Sequence, residues 1–73
     1  MTIRTAVIGL GIMGRRMAEN MVLHPDFTVT TMWDPDPAAC AAAQEVAPEA
    51  VVSATASEAM ADVDLVYLAC PPV

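Results

Sequence analysis

The sequence predicts an α/β fold, a doubly wound parallel sheet built from alternating strands and helices. Apolar or β-branched runs of strand length alternate with segments of helical periodicity. A glycine-rich turn joins the first strand to the first helix, and helix-start residues precede the later helices. The predicted element order is β-α-β-α-β-α-β. Right-handed crossovers then give four strands in the spatial order 3-2-1-4, accompanied by three helices.

The first strand and helix follow from their apolar patterns. Residues 3–8 (Ile-Arg-Thr-Ala-Val-Ile) have the nearly continuous apolar character of a central parallel strand. Residues 12–23 repeat apolar side chains at helical spacing, and His24-Pro25 ends the helix because proline disfavours helical geometry in the residue before it. We expect one apolar stripe of this helix to pack in the core: Met13, Met17, Ala18, Met21 and Val22.

The second strand and helix are marked by residue type and by a cap. Residues 27–33 (Phe-Thr-Val-Thr-Thr-Met-Trp) are β-branched and aromatic, as in a strand. Asp36 followed by Pro37 is typical of a helix N-cap with proline in the first turn. We expect the alanine-rich helix that follows to end at about Ala47, before Pro48.

The last three elements are short. Residues 50–53 predict a short third strand, and Thr55 with Glu58 fits a capping box that opens a helix ending near Ala61. Residues 65–70 (Leu-Val-Tyr-Leu-Ala-Cys) predict the fourth strand.

The turn after the first strand carries the chemistry. Gly9-Leu10-Gly11-Ile12-Met13-Gly14 is a G-x-G-x-x-G sequence between a strand and a helix. Gly9 allows a tight turn, Gly11 allows a diphosphate to approach the backbone, and Gly14 allows the helix to pack against the strand. The N–H groups around residues 12–14 open a helix and favour an anion. The pattern predicts a dinucleotide-binding site.

Asp34 indicates which dinucleotide binds. It ends the second strand, twenty positions after Gly14, where its carboxylate can accept hydrogen bonds from the adenosine ribose hydroxyls. A 2′-phosphate would meet Asp34 and nearby Asp36, with no following Arg or Lys to offset them. Two unit charges about 4 Å apart repel by about 4 kcal/mol at an effective dielectric of about 20. We therefore predict NAD rather than NADP as the cofactor.

Cys70, Pro71 and Pro72 leave the carboxyl end of the fourth strand, which should border the same crevice. Proline has a fixed φ and no N–H group, so the pair ends the strand. Two interpretations stay open: the turn is a strand terminator only, or it is a rigid wall against the cofactor.

Composition limits the other functions. The net charge is −6, which disfavours nucleic acid and anionic membranes as partners. No metal-ligand spacing is present, and the pair Cys40 and Cys70 favours free thiols in the cytoplasm. Neither a signal peptide nor a membrane span is predicted. Seventy-three residues are too few for a complete doubly wound domain, so residues 1–73 are expected to be the N-terminal part of a dinucleotide-binding domain.

Four segments together resemble the N-terminus of Gfo/Idh/MocA-type oxidoreductases, which have a Rossmann-type fold: residues 6–20, 24–27, 34–37 and 62–72. The resemblance implies NAD(P)-dependent hydride transfer at a sugar or cyclic polyol carbon. It also implies a C-terminal α/β substrate domain and homo-oligomers formed through it. The family's Glu-Lys-Pro lysine is lacking because the chain has no lysine, and so is the histidine that often follows Pro-Pro. The catalytic residues are therefore expected downstream of Val73.

Two alternatives stand beside this interpretation. The turn with Met17-Ala-Glu-Asn20 also resembles 3-hydroxyisobutyrate-type dehydrogenases, although the His24–Phe27 segment fits them poorly. The other alternative is a non-enzymic module that senses NAD or serves as a scaffold.

Overall fold

The fold is a four-stranded parallel sheet with three helices, described for residues 2–69 by a computed structural model. The strand order is β3-β2-β1-β4, which confirms the predicted Rossmann-type arrangement. The elements are β1 (Ile3–Ile8), α1 (Ile12–Leu23), β2 (Phe27–Trp33), α2 (Pro37–Val46), β3 (Val51–Val52), α3 (Ala56–Met60) and β4 (Leu65–Leu68).

Strand β1 is central, as its apolar sequence predicts. It pairs with β2 on one side and with β4 on the other, and its residues from Thr5 to Ile8 are buried. The register with β2 shifts between Thr5 and Ala6, where Thr30 is left over as a bulge residue. The carboxyl ends of β1, β2 and β4 therefore lie side by side.

Most of the core lies between the sheet and the helices α1 and α2. It joins side chains of β1, the glycine turn and β2 to side chains of the two helices and to two alanines that follow α2. The core residues are Val7, Leu10, Ala18, Met21, Val29, Met32, Ala43, Ala47 and Ala50. Helix α3 also packs against β1 and β2. At this contact the Thr31 hydroxyl donates a hydrogen bond to the Ala59 carbonyl oxygen (2.5 Å).

The predicted helix caps are confirmed. The Asp36 carboxylate accepts a hydrogen bond from the Ala38 N–H group (2.9 Å), and Pro37 opens α2. The Thr55 hydroxyl accepts one from the Glu58 N–H group (3.1 Å) at the start of α3. Strand β3 is shorter than predicted, and the predicted last residue of β4, Cys70, lies outside the described residues.

The apolar stripe predicted for α1 is only partly buried. Ala18 and Met21 are in the core and Met17 packs against it, but Met13 is 66% exposed and Val22 is 47% exposed. Met13 lies in the first turn of α1, beyond the carboxyl edge of the sheet. Val22 lies in the last turn and lines an open groove beside β2. The predicted core position is therefore correct for Ala18 and Met21, correct in part for Met17, and wrong for Met13 and Val22.

Arg4 and Asp64 connect the start of β1 to the start of β4. The Asp64 carboxylate accepts hydrogen bonds from the Arg4 backbone N–H (3.1 Å) and from its guanidinium Nε (3.4 Å), while the Asp64 N–H donates to the Arg4 carbonyl oxygen (2.8 Å). The hydrogen bond from the Arg4 backbone N–H, followed by that from its side chain, lowers the pKa of Asp64. The ionised carboxylate is thus favoured in the folded state.

The Arg4–Asp64 pair predicts a change in acid stability. A carboxyl with a lowered pKa in the folded state adds stability above its ordinary pKa, and this is lost as pH falls through the lowered value. We expect Asp64→Asn to reduce stability slightly at pH 7 and to flatten the loss of stability across that acidic window. Thermal unfolding of both proteins from pH 7 to pH 2 measures this. Parallel curves for the two proteins would contradict it.

Candidate dinucleotide-binding site

The glycine turn leaves the carboxyl end of β1 and is attached to the end of β2. Gly9 has φ 93°, a left-handed conformation that L side chains rarely adopt, and its N–H group donates to the Trp33 carbonyl oxygen (2.8 Å). On the other side of β1, the Ala69 N–H group donates to the Ile8 carbonyl oxygen (2.8 Å). The turn therefore begins between the ends of two neighbouring strands.

Gly14 is required for the approach of α1 to β1. A Cβ atom built on Gly14 would lie 1.8 Å from the Gly9 carbonyl oxygen and 3.4 Å from the Ala69 Cβ. The first distance is far inside van der Waals contact, and the atom met is backbone, which cannot rotate away. The packing role that the sequence predicts for this glycine is confirmed by these contacts.

Gly11 has the opposite surroundings. Apart from its two chain neighbours, no atom of residues 2–69 lies within 4 Å of a Cβ built there, and the residue is the N-cap of α1 without a side chain to cap it. The first N–H groups of an α-helix have no acceptor within the helix, and they carry the positive end of its dipole. Those of Ile12, Met13 and Gly14 follow Gly11, and the side chains of Ile12 and Met13 are each 66% exposed. As far as residues 2–69 are concerned, this end of the helix is open to an anion.

Asp34 lies immediately after β2, at the same edge of the sheet. One of its carboxylate oxygens, Oδ2, accepts a hydrogen bond from the Leu10 N–H group (2.7 Å). The other, Oδ1, accepts one from the Asp36 N–H group (2.8 Å). The structure thus brings Asp34 to the glycine turn, and the six predicted turn and ribose positions lie together.

The sequence did not predict the contact between Asp34 and Leu10. A signal for it exists, because Asp34 ends the strand next to β1 and the carboxyl ends of parallel neighbours meet at one edge. The direction of the side chain, however, depends on the bulge and on the turn geometry.

The other predicted site residues, Cys70, Pro71 and Pro72, lie outside the residues that the structure describes.

Other polar groups lie near this edge. Arg15 is half-buried and Arg16 exposed, one turn into α1. The free thiol of Cys40 donates to the Asp34 carbonyl oxygen (3.4 Å). Between residues 2 and 69, no three His, Cys, Asp or Glu side chains form a group that could hold a metal ion, and no helix has the length and apolar character to cross a membrane.

The sheet, the strand order and the turn define a Rossmann-type nucleotide-binding domain. The model of one protein family, described as the NAD binding domain of 6-phosphogluconate dehydrogenase, matches residues 4–72. The chain belongs to this family, so its cofactor is of the NAD type. A search of curated proteins gives no match.

Several solved structures share the fold. The scyllo-inositol dehydrogenase of Lactobacillus casei is 23% identical with a TM-score of 0.82, over 97% of this chain and 22% of that one. GenD2 from gentamicin A biosynthesis is 28% identical with a TM-score of 0.84, over 99% and 21%. The WlbA dehydrogenase of Chromobacterium violaceum is 30% identical with a TM-score of 0.82, over 96% and 21%.

These neighbours confirm the resemblance to Gfo/Idh/MocA-type proteins. The family model that matches residues 4–72 is named after a different enzyme, 6-phosphogluconate dehydrogenase. The two findings agree on what they share, an NAD-binding Rossmann unit. The chain spans about a fifth of the length of these structures, 22% of the Lactobacillus casei enzyme.

Substitutions at Gly14 and at Gly11 are predicted to change stability by very different amounts. We expect Gly14→Ala to lower the free energy of unfolding by about 3 kcal/mol or more, because overpacking typically costs about 1–3 kcal/mol and here the overlap is with backbone. Gly11→Ala meets no atom of the described residues beyond its chain neighbours and should change the free energy of unfolding by less than about 1 kcal/mol, the effect of losing a good N-cap residue. Urea unfolding of both variants measures the difference. Equal losses for the two would contradict the assigned roles.

Proposed function

We propose that this NAD-binding unit serves an oxidoreductase that transfers a hydride between NAD and a carbon of a sugar or cyclic polyol. The observation that carries the proposal is the open helix N-terminus at Gly11 beside Asp34, in a chain of the NAD-binding family. Solved neighbours support the substrate class. The Lactobacillus casei scyllo-inositol dehydrogenase was crystallised with NAD(H) and scyllo-inositol, and WlbA with NADH and UDP-GlcNAcA.

In the proposed binding mode the chain's own backbone holds the diphosphate. The N–H groups of Gly11, Ile12, Met13 and Gly14 would donate to its oxygens, and Gly11 would allow their close approach. When bound, the nicotinamide supplies the hydride chemistry. The described residues of this chain would bind and orient the cofactor.

Asp34 would bind the adenosine ribose. A carboxylate offers about four lone-pair positions, and two are used by the N–H groups of Leu10 and Asp36. The others can accept hydrogen bonds from the ribose hydroxyls. The half-buried carboxylate would also repel a 2′-phosphate, which favours NAD over NADP.

The remaining parts of the proposal concern the whole protein. Residues 1–73 would be the N-terminal part of the cofactor domain, and a C-terminal substrate domain would supply the catalytic residues and the contacts of a homo-oligomer. Cys70, Pro71 and Pro72 would border the cofactor crevice. We propose the cytoplasm as the location, since free thiols suit a reducing compartment.

Cofactor preference tests the role of Asp34. We expect the full-length protein to bind NADH about a thousandfold more tightly than NADPH, since a repulsion of about 4 kcal/mol corresponds to that ratio. Fluorescence titration with the two reduced cofactors measures it. Tighter binding of NADPH would contradict the proposed role.

Gly11→Ala tests the diphosphate position with the fold preserved. The added methyl group would meet the diphosphate, and a steric cost of about 1–3 kcal/mol would weaken NADH binding by about 5- to 150-fold. Gly11 has open space on the protein side, so unfolding of the variant serves as its control. Unchanged NADH affinity in a folded variant would place the diphosphate elsewhere.

Substrate class is tested by turnover. We expect full-length protein with NAD to form NADH, followed at 340 nm, on cyclic polyols or nucleotide-linked sugars rather than on short-chain hydroxy acids such as 3-hydroxyisobutyrate. Activity on the hydroxy acid alone would favour the 3-hydroxyisobutyrate-type alternative. NADH binding without turnover on any substrate would favour a sensor or scaffold.

A further inference from the structure

We infer that Asp34 is a positioning residue for the diphosphate site as well as a ribose partner. Its carboxylate holds the glycine turn so that the N–H groups at the start of α1 face the diphosphate. This inference rests on the proposed NAD-binding mode and extends it. It assigns to Asp34 an effect on nucleotides that lack ribose hydroxyls.

The first step is the contact itself. The Leu10 N–H group donates to Asp34 Oδ2 at 2.7 Å, a short distance typical of a bond to a charged acceptor. Leu10 is fully buried, with a relative exposure of 0%, and its side chain belongs to the core. Removing the carboxylate would leave this buried N–H donor without its acceptor, which is unfavourable for this conformation of the turn.

The second step is the position of Leu10 in the turn. It lies between Gly9, which has positive φ, and Gly11, the N-cap of α1. Gly9 is already tied to β2 by its hydrogen bond to the Trp33 carbonyl oxygen. Two consecutive N–H groups thus attach the turn to the end of β2, and the second one depends on the Asp34 side chain.

The third step is the orientation of the carboxylate. Its other oxygen accepts a hydrogen bond from the Asp36 N–H group at 2.8 Å, so both oxygens are fixed by backbone donors. Asp36 in turn caps α2 through Ala38. The carboxylate is therefore held by the start of the α2 segment and holds the glycine turn.

The two possible roles of Asp34 can be told apart with a nucleotide that lacks ribose hydroxyls. They predict opposite changes in the affinity for that nucleotide when Asp34 is substituted. If Asp34 acts on the ribose alone, removing its negative charge relieves repulsion with the diphosphate and leaves binding equal or tighter. If Asp34 also positions the turn, its removal misplaces the N–H donors and weakens binding. The ligand 2′,3′-dideoxy-ADP carries the diphosphate and lacks both hydroxyls.

The experiment is calorimetric titration of the full-length protein with ADP and with 2′,3′-dideoxy-ADP. Wild type is compared with Asp34→Ala, Asp34→Asn and the control Asp36→Asn. Asparagine at position 34 loses the charge and keeps one oxygen that can accept from the Leu10 N–H group, while its NH2 group replaces the oxygen that accepts from the Asp36 N–H group. Asp36→Asn removes a neighbouring charge and keeps a cap oxygen for Ala38.

We expect Asp34→Ala to weaken binding of dideoxy-ADP about tenfold, the effect of one misplaced N–H donor that loses its hydrogen bond to the diphosphate, about 1.4 kcal/mol. Asp36→Asn should stay within about threefold of wild type, because it keeps the oxygen that accepts from the Ala38 N–H group. Asp34→Asn should fall between Asp36→Asn and Asp34→Ala, because it keeps only one of the two accepting oxygens. If Asp34→Ala binds dideoxy-ADP as tightly as wild type or more tightly, the inference is wrong but the proposed function still stands. A wild-type protein that binds neither nucleotide would overturn the proposed function and the inference with it.

Hydrogen exchange of wild type is a second measurement that needs no variant. We expect the Leu10 amide to exchange at least about tenfold more slowly than the amides of Ile12 and Met13, whose side chains are exposed. Equal exchange rates at the three positions would show that the carboxylate does not hold the turn.

Discussion

The close approach of helix α1 to the end of strand β1 is the constraint on which the site depends. The Cα atom of Gly14 faces the Gly9 carbonyl oxygen so closely that a Cβ would lie 1.8 Å from it. This contact places the start of the helix directly above the carboxyl end of the central strand. The first helical N–H groups therefore lie where neighbouring strands also end, and the local structure becomes a site for an anion.

Local geometry, and not net charge, determines what this site can bind. The chain has a net charge of −6, which alone would disfavour a diphosphate. The helix dipole and the N–H groups act within the first turn, whereas the surface charges are dispersed and screened over about 8–10 Å at physiological salt. Asp34 is the exception, because it lies at the turn, where its two carboxylate oxygens accept hydrogen bonds from the N–H groups of Leu10 and Asp36.

The sequence predicted the parts of the fold that depend on local signals. The bounds of β1, α1 and β2 agree with the structure because glycine, proline and a β-branched run mark their ends. The caps at Asp36 and Thr55 are equally local, since each side chain accepts from an N–H group two or three residues ahead. The strand order followed from handedness, which is a general rule of parallel crossovers.

Features that depend on the third dimension were not predictable in the same way. Periodicity reports the face of a helix but not how far along its axis the core extends, so Met13 was assigned to the core although it is 66% exposed. The contact between Asp34 and the Leu10 N–H group joins positions 24 residues apart and requires the register of β1 and β2, including the bulge at Thr30. The ribose role of Asp34 could be inferred from spacing alone. Its hydrogen bond to the glycine turn is evident only when the ends of β1 and β2 are seen in three dimensions. A motif specifies residue types, and it does not by itself specify which of those residues contact one another.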